Sequence, residues 1–315
     1  MEIDLNKINH WYKKLFHNLE SVILGKELVL KESIMALICR GHILVEDVPG
    51  TGKTVLAKAI ALSINSQFNR IQFTPDMLPS DITGTSIFNQ KNNSFEFRHG
   101  PIMANIILAD EINRATPKTQ SALLEAMEER QITVDGKTFK LPDVFMVIAT
   151  QNPIEYEGTY ALPEAQLDRF IVKISIGYPS NEIEAKILSA QQELHPIELV
   201  KPVTDVQEII AIQSTIRKIF VSEPIKKYIV DIINKTRTHE SVYLGASPRG
   251  ALALFRLGQC SAAFNGRDFV IPDDIKSVVI PAIAHRILLK PDAKIKDIQP
   301  SDLLDEILSM IKIPI

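Results

Sequence analysis

The chain has 315 residues, with 35 basic and 38 acidic side chains and a formal net charge of −3. That length favours two domains, each able to bury a core, and a hydrophobic share of 45% with 23% charged residues excludes global disorder. The balanced charge excludes a surface that is wholly a nucleic-acid footprint, two cysteines exclude a disulfide framework, and no apolar run approaches the ~18 residues of a membrane span.

The chain opens with acids and no apolar h-region, unlike a signal peptide, so the expected compartment is the reducing cytoplasm. Cys39 and Cys260 read as buried, inert thiols. Ile3, Leu5, Ile8, Trp11 and Leu15 form a stripe that reads as a helix packed on the core, with partner docking as the alternative. Residues 26–40 repeat apolar side chains with a 3.6 period. Short apolar runs at 42–46, 70–73, 105–110, 144–150 and 171–176 have the length and continuity of strands buried on both faces of a parallel sheet. Between them, Thr116 and Pro117 read as an N-cap and first residue of a helix over 118–129. Segments 87–98 and 132–141 read as inserted hairpins, either edge decoration or surfaces that touch a partner. Past residues 178–181 the pattern turns helical, with helices expected over 182–193, 205–220, 224–237, 248–264 and 272–285. The expectation is an α/β core over 1–180 and an all-helical domain over 181–315.

The chemistry concentrates where the run HILVE ends. It leads into DVPGTGKT and then a helix. Gly50 and Gly52 let backbone N–H groups curl around a phosphate, with Val48, Pro49 and Thr51 filling the loop and Val55 following it. Lys53 places an ammonium on β- and γ-phosphate oxygens, Thr54 offers a hydroxyl to Mg²⁺, and the helix points its positive end at the anion. The strict pattern asks for Gly where this chain has Asp47. NIILADEINRA carries a strand through the core and delivers Asp110 and Glu111 at its C-terminal end. Asp110 is placed to hold Mg²⁺ through water and Glu111 to polarise an attacking water. A surface acidic pair is the plainer alternative. VFMVIATQNP ends a buried strand with Gln151 and Asn152, where a neutral amide can orient a water beside a γ-phosphate, an ordinary Asn-Pro turn being the plainer alternative.

Together with GPIMANIILADEINRATPKTQSALLEAMEERQITVDGKT, ATQNPIEYEGTYALPEAQLDRF and GASPRGALAL, these stretches make the chain resemble the MoxR family of AAA+ ATPases along nearly its whole length. The resemblance implies a P-loop core with a helical lid, ATP and Mg²⁺ as ligands, and rings, usually hexamers, with nucleotide between subunits. It implies Walker B roles for Asp110 and Glu111, sensor 1 for Asn152, an arginine finger acting in trans for Arg169, and sensor 2 for Arg249. Val22, Ile23 and Gly25, in VILGKE, become base-pocket residues. Segment 87–98 becomes the helix-2 insert, and 132–141 the hairpin before sensor 1. Lys53, Arg169 and Arg249 then form a cationic set aimed at one triphosphate.

From the residues alone, Arg169 is also readable as a structural partner of Asp168 or Glu164. Arg249, a cation at a helix start, points to an anionic partner or to a solvated surface. Arg114 and Arg130 read as surface-paired, with a neighbouring subunit as the alternative. The histidines form no paired-ligand spacing, and no nucleophile elbow occurs. The family's activity would be ATP hydrolysis coupled to chaperone-like maturation of other proteins, often with partners carrying von Willebrand factor A domains. An ATP-switched scaffold with negligible turnover and a nucleic-acid motor are the rival readings.

Overall fold

The computed structural model describes residues 5–153, 158–192 and 194–314. Ile3 of the N-terminal stripe, Glu193 of the expected helix 182–193, and residues 154–157 of the ATQNP stretch lie outside the described residues.

α1 (Leu5–Glu20) buries Ile8, Trp11, Leu15 and Leu19, the face its spacing selects. α2 (Glu27–Ile38), β1 (Ile43–Glu46), α3 (Lys53–Ser63), β2 (Phe68–Gln72) and the short α4 (Pro79–Thr83) follow. The first hairpin comprises β3 (Gly84–Asn89) and β4 (Ser94–His99). Then come β5 (Ile106–Asp110), α5 (Pro117–Glu129), a second hairpin of β6 (Gln131–Val134) and β7 (Lys137–Lys140), β8 (Met146–Gln151), α6 (Glu164–Leu167) and β9 (Val172–Ile174).

Five strands form one sheet in the order β2–β5–β8–β1–β9, and every pairing is parallel. Alternate residues of its inner strands serve two cores. Ile43, Val45, Ile106, Leu108, Met146 and Ile148 face one side, with α1, α2, α3 and the C-terminal helices. Leu44, Ile107, Ala109, Val147 and Ala149 face the other, with α5 and the hairpins. That two-sided burial is why these strands read as unbroken apolar runs. The parallel register also gathers Glu46, Gln72, Asp110 and Gln151 at one edge, the C-terminal edge where α/β sheets bind ligands.

The hairpins lean on each other through Phe97 and Phe139, stacked at 4.2 Å. Asp135 and Gly136 both take positive φ, +50° and +74°, as a tight two-residue turn requires. Thr116 flanks α5 and Pro117 opens it, but the Thr116 hydroxyl meets Thr119 Oγ1 at 3.3 Å and no backbone N–H. The expected side-chain cap is therefore not made.

The C-terminal part holds α7 (Asn181–Ala190), α8 (Val206–Ile216), α9 (Glu223–Thr238), α10 (Pro248–Phe264), α11 (Pro272–Ile283), α12 (Pro291–Ile295) and α13 (Pro300–Met310). Two short strands, β10 (Val242–Leu244) and β11 (Leu288–Leu289), pair antiparallel within it. They are too short to show any alternation in sequence. α1 reaches across to these helices: Trp11 Nε1 donates to Thr204 Oγ1 at 2.9 Å, and Tyr12 stacks on Phe264 at 4.1 Å. Cys260 is buried and Cys39 half-buried, and burial beside Cys39 holds the Cys260 thiol well above its usual range.

Candidate functional site

The loop between β1 and α3 turns through Gly50 and Gly52, with φ of +84° and +92°. A Cβ at either would meet nothing within 4 Å, so backbone conformation and open space in front of the loop, not crowding, ask for glycine. Lys53 Nζ donates to the Asp47 carbonyl at 2.5 Å. Burial lowers the Lys53 pKa, while the charges of Asp47, Asp110 and Glu111 oppose that shift. Asp47 is buried, and its carboxylate accepts the N–H of Val48 at 2.9 Å and that of Gly177 at 2.6 Å. Val48 thus serves the loop through its N–H.

Asp110 and Glu111 leave the end of β5 beside that loop. Thr150, from β8, binds both: its hydroxyl donates to Asp110 Oδ1 at 2.6 Å and accepts the Glu111 N–H at 2.8 Å. Glu111 adopts φ +57°, a left-handed conformation rare for a residue with a Cβ, and its neighbours hold it there. Gln72 Nε2 donates to Glu111 Oε2 at 2.6 Å, and Arg114 Nε lies 3.1 Å from the same oxygen. Arg70 grips Asp110 Oδ2 through Nη2 at 2.6 Å and Nε at 3.1 Å. Arg70, Gln72 and Thr150 escaped the sequence reading. Their signal was position on the strands flanking β5, Gln72 and Thr150 toward the C-terminal edge and Arg70 two residues earlier in β2.

Pro49, Gly50, Gly52, Lys53, Thr54, Val55, Asp110, Glu111 and the buried Asn152 line one cleft of about 410 Å³, with Arg70 at its side. The Thr54 hydroxyl and Asp110 carboxylate are the hard oxygen ligands that Mg²⁺ takes alongside phosphates and water, so the donor set fits that ion. A second cleft, also about 410 Å³, shares Gly50, Gly52 and Val55 with the first and continues past Thr51 to Val22 and Ile23. Its apolar walls suit a flat base. The opposite wall, Ile176, Gly177, Tyr178 and Pro179 with Ile187 and Leu188 of α7, was not foreseen. Gly25 stands outside this lining, and a Cβ there would come within 3.0 Å of Ile183 in α7.

Arg169 and Arg249 occupy a different place. They line a smaller cleft of about 230 Å³ with Arg40, His42, Glu128 and Arg130. Glu128 holds both: Arg249 Nη2 lies 2.5 Å from Oε1, and Arg169 Nε 3.6 Å from Oε2. Arg169 also donates to the Leu124 carbonyl. Within one subunit, then, Lys53 and the two arginines do not converge on one point. Asp168 pairs instead with Arg286 at 2.8 Å and accepts the Ser247 hydroxyl at 2.7 Å. Arg286 is nearly buried, donates also to the Phe170 carbonyl at 2.7 Å, and anchors the segment that carries Arg169. Arg130 is no surface partner. It donates to the carbonyls of Arg40 and Phe145, and burial, with nearby Arg40 and Arg217, lowers its pKa to about 10.

A family model for the ATPase family associated with various cellular activities (AAA) matches residues 42–172, and one for the AAA lid domain matches 234–307. The chaperone MoxR1 of Mycobacterium tuberculosis is 38% identical over 97% of this chain and 83% of its own length. The chain belongs to the MoxR family of AAA+ ATPases. An uncharacterised Bacillus subtilis protein, YeaC, is 52% identical over 96% of this chain and 94% of its own. Among solved structures, a candidate ATPase from Cytophaga hutchinsonii matches with a TM-score of 0.92 at 37% identity, covering 99% of this chain and 97% of that one. The MoxR-type fold, a parallel sheet flanked by helices and followed by a helical lid, is therefore shared along the chain. No helix among the described residues is long and apolar enough to cross a membrane.

Proposed function

We propose that this MoxR-family chain hydrolyses the β–γ bond of ATP at a site completed by a second subunit. The observation that carries the reading is the separation of its charges. One cleft holds the phosphate loop, Lys53, Thr54, Asp110, Glu111 and Asn152, while Arg169 and Arg249 wait in another. The first cleft of one subunit and the arginine cleft of its neighbour, closed on one triphosphate, together supply the protein's share of the charges that phosphoryl transfer uses.

In this reading the division into core and lid falls near residue 180. Val22 and Ile23 flank the adenine, and Gly25 lets α7 approach. The loop amides of residues 48–52 and Lys53 hold the phosphates, and Asn152 orients the water. Thr54 and Asp110 would hold Mg²⁺, which neutralises phosphate charge when bound. Glu111 takes the proton of the water as it attacks. Gln72 and Arg114 both hold Glu111 through Oε2, and Arg70 holds Asp110 through Oδ2, so these contacts orient the two carboxylates in the subunit. Arg169 and Arg249, released from Glu128, meet the neighbour's γ-phosphate. A closed ring, hexameric as the family resemblance implies, gives every subunit a neighbour. The chaperone description of the mycobacterial relative supports a role in maturing other proteins, with von Willebrand factor A domain proteins as the expected partners and the cytoplasm as the compartment.

Glu111→Gln tests the chemistry. ATP binding should persist, while turnover falls by roughly 10²–10⁴-fold, the usual contribution of a general base. Turnover near the wild-type rate would remove Glu111 from this role.

A further inference from the structure

Asp47 stands where the phosphate-loop pattern asks for glycine, and the residue is only 6% exposed. Its two oxygens face in two directions. Oδ1 accepts the Val48 N–H, inside the loop, at 2.9 Å, and Oδ2 accepts the Gly177 N–H at 2.6 Å, with Ser175 Oγ at 3.5 Å. Gly177 belongs to residues 176–179, the far wall of the base cleft. Ile176 anchors the start of that wall in the main core, and Lys26 Nζ donates to the Tyr178 carbonyl at 2.9 Å. α7, which continues from it, buries none of its residues. Beyond Ile176 the wall and helix are thus lightly packed, and Asp47 is their hydrogen-bonded connection to the loop.

We propose that Asp47 is a positioning residue that fixes the base-side wall of the cleft, residues 176–179, to the phosphate loop. The proposal rests on reading the cleft as a nucleotide site. Without the carboxylate, the Gly177 N–H loses a buried acceptor, and such a group seeks water. With Ile176 still held in the core, residues 177–179 move outward while the fold remains. A ligand that uses both halves of the cleft then loses contacts on one side. Phosphate held by the loop alone does not.

Electrostatics predicts the opposite sign. Asp47 is an anion beside Lys53, so removing it, by charge alone, tightens every anionic ligand. The two effects are separable by comparing ADP with pyrophosphate, which share the phosphates and differ in adenosine.

The experiment measures dissociation constants of both for the full chain by titration calorimetry, in wild type, Asp47→Gly and Asp47→Asn. Wild type must bind ADP; if it does not, the nucleotide reading itself fails, and this proposal with it. With binding established, Asp47→Gly should weaken ADP about tenfold and leave pyrophosphate unchanged or tighter, although it restores the strict pattern. Asp47→Asn keeps one acceptor and should show the same split at smaller size, which covers the case in which the glycine variant does not fold. Equal weakening of both ligands in the folded variants would confine Asp47 to the loop and overturn the proposal. So would unchanged or tighter ADP binding.

Discussion

The phosphate cleft and the arginine cleft are built on opposite plans. In the first, acids and a lysine sit at the edge of the parallel sheet, and each acid is occupied by a neighbour: Asp110 by Arg70 and Thr150, Glu111 by Gln72 and Arg114. In the second, two arginines share one carboxylate, Glu128. Each cleft carries charge that its own surroundings only partly answer. Two half-sites of opposite character on one chain are what the proposed shared site requires.

Breaking the arginine side should cost most. If Arg169 is the finger proposed above, a contribution of roughly 10³–10⁵ in rate is lost in Arg169→Ala, so phosphate release should drop to near background while ADP binding stays. A loss under tenfold would leave Arg169 with the structural role in which it merely braces α5. Arg249→Ala should cost less, about tenfold to a hundredfold, the size of one charge-assisted hydrogen bond. If both arginines act on the same phosphate, the double variant should lose less than the product of the two single losses.

The smallest expected effect concerns pH. His42 lines the arginine cleft, where its Nδ1 accepts the Val147 N–H at 3.0 Å and Nε2 faces the Met127 carbonyl at 3.2 Å. Burial, and secondarily the Arg130 charge, push its pKa down to about 3 from 6.5. Between those values the unfolded chain binds a proton there that the folded chain does not. The His42 contribution to stability is therefore complete above about pH 6.5 and shrinks as pH falls toward 3. Thermal melts from pH 7 to 4 should show a declining Tm, less steeply in His42→Asn, which keeps an acceptor for Val147. An identical slope in both proteins would contradict this.

Much of the phosphate cleft was legible because its instructions are local. GTGKT between a strand and a helix, and two acids after IILA, specify their surroundings within about ten residues. The three inner strands were equally plain, since burial on both faces leaves their runs almost wholly apolar, whereas the edge strands β2 and β9 keep polar residues such as Arg70 and Lys173. What escaped depends on distance in sequence. Gln72 and Arg70 matter because β2 lies beside β5, a pairing no spacing encodes. Trp11 and Tyr12 pack toward residues some two hundred positions away. β10 and β11 hold three and two residues, too few for periodicity. The cationic set could be named from motifs, but its division between two clefts follows from how the lid folds back, with Arg286 tying Asp168 and Phe170. Asp47 looked like a flaw in the loop pattern until Gly177 came to face it.

Mixing subunits tests most directly whether one active site is made by two of them. Arg169→Ala and Glu111→Gln are each expected to be inactive alone, one lacking the donated arginine and the other its general base. Combined at increasing ratios under conditions where mixed assemblies are verified by mass, they should regain phosphate release, because some interfaces then join an intact Glu111 to an intact Arg169. Mixed assemblies that stay inactive at every ratio would contradict a site shared between neighbours.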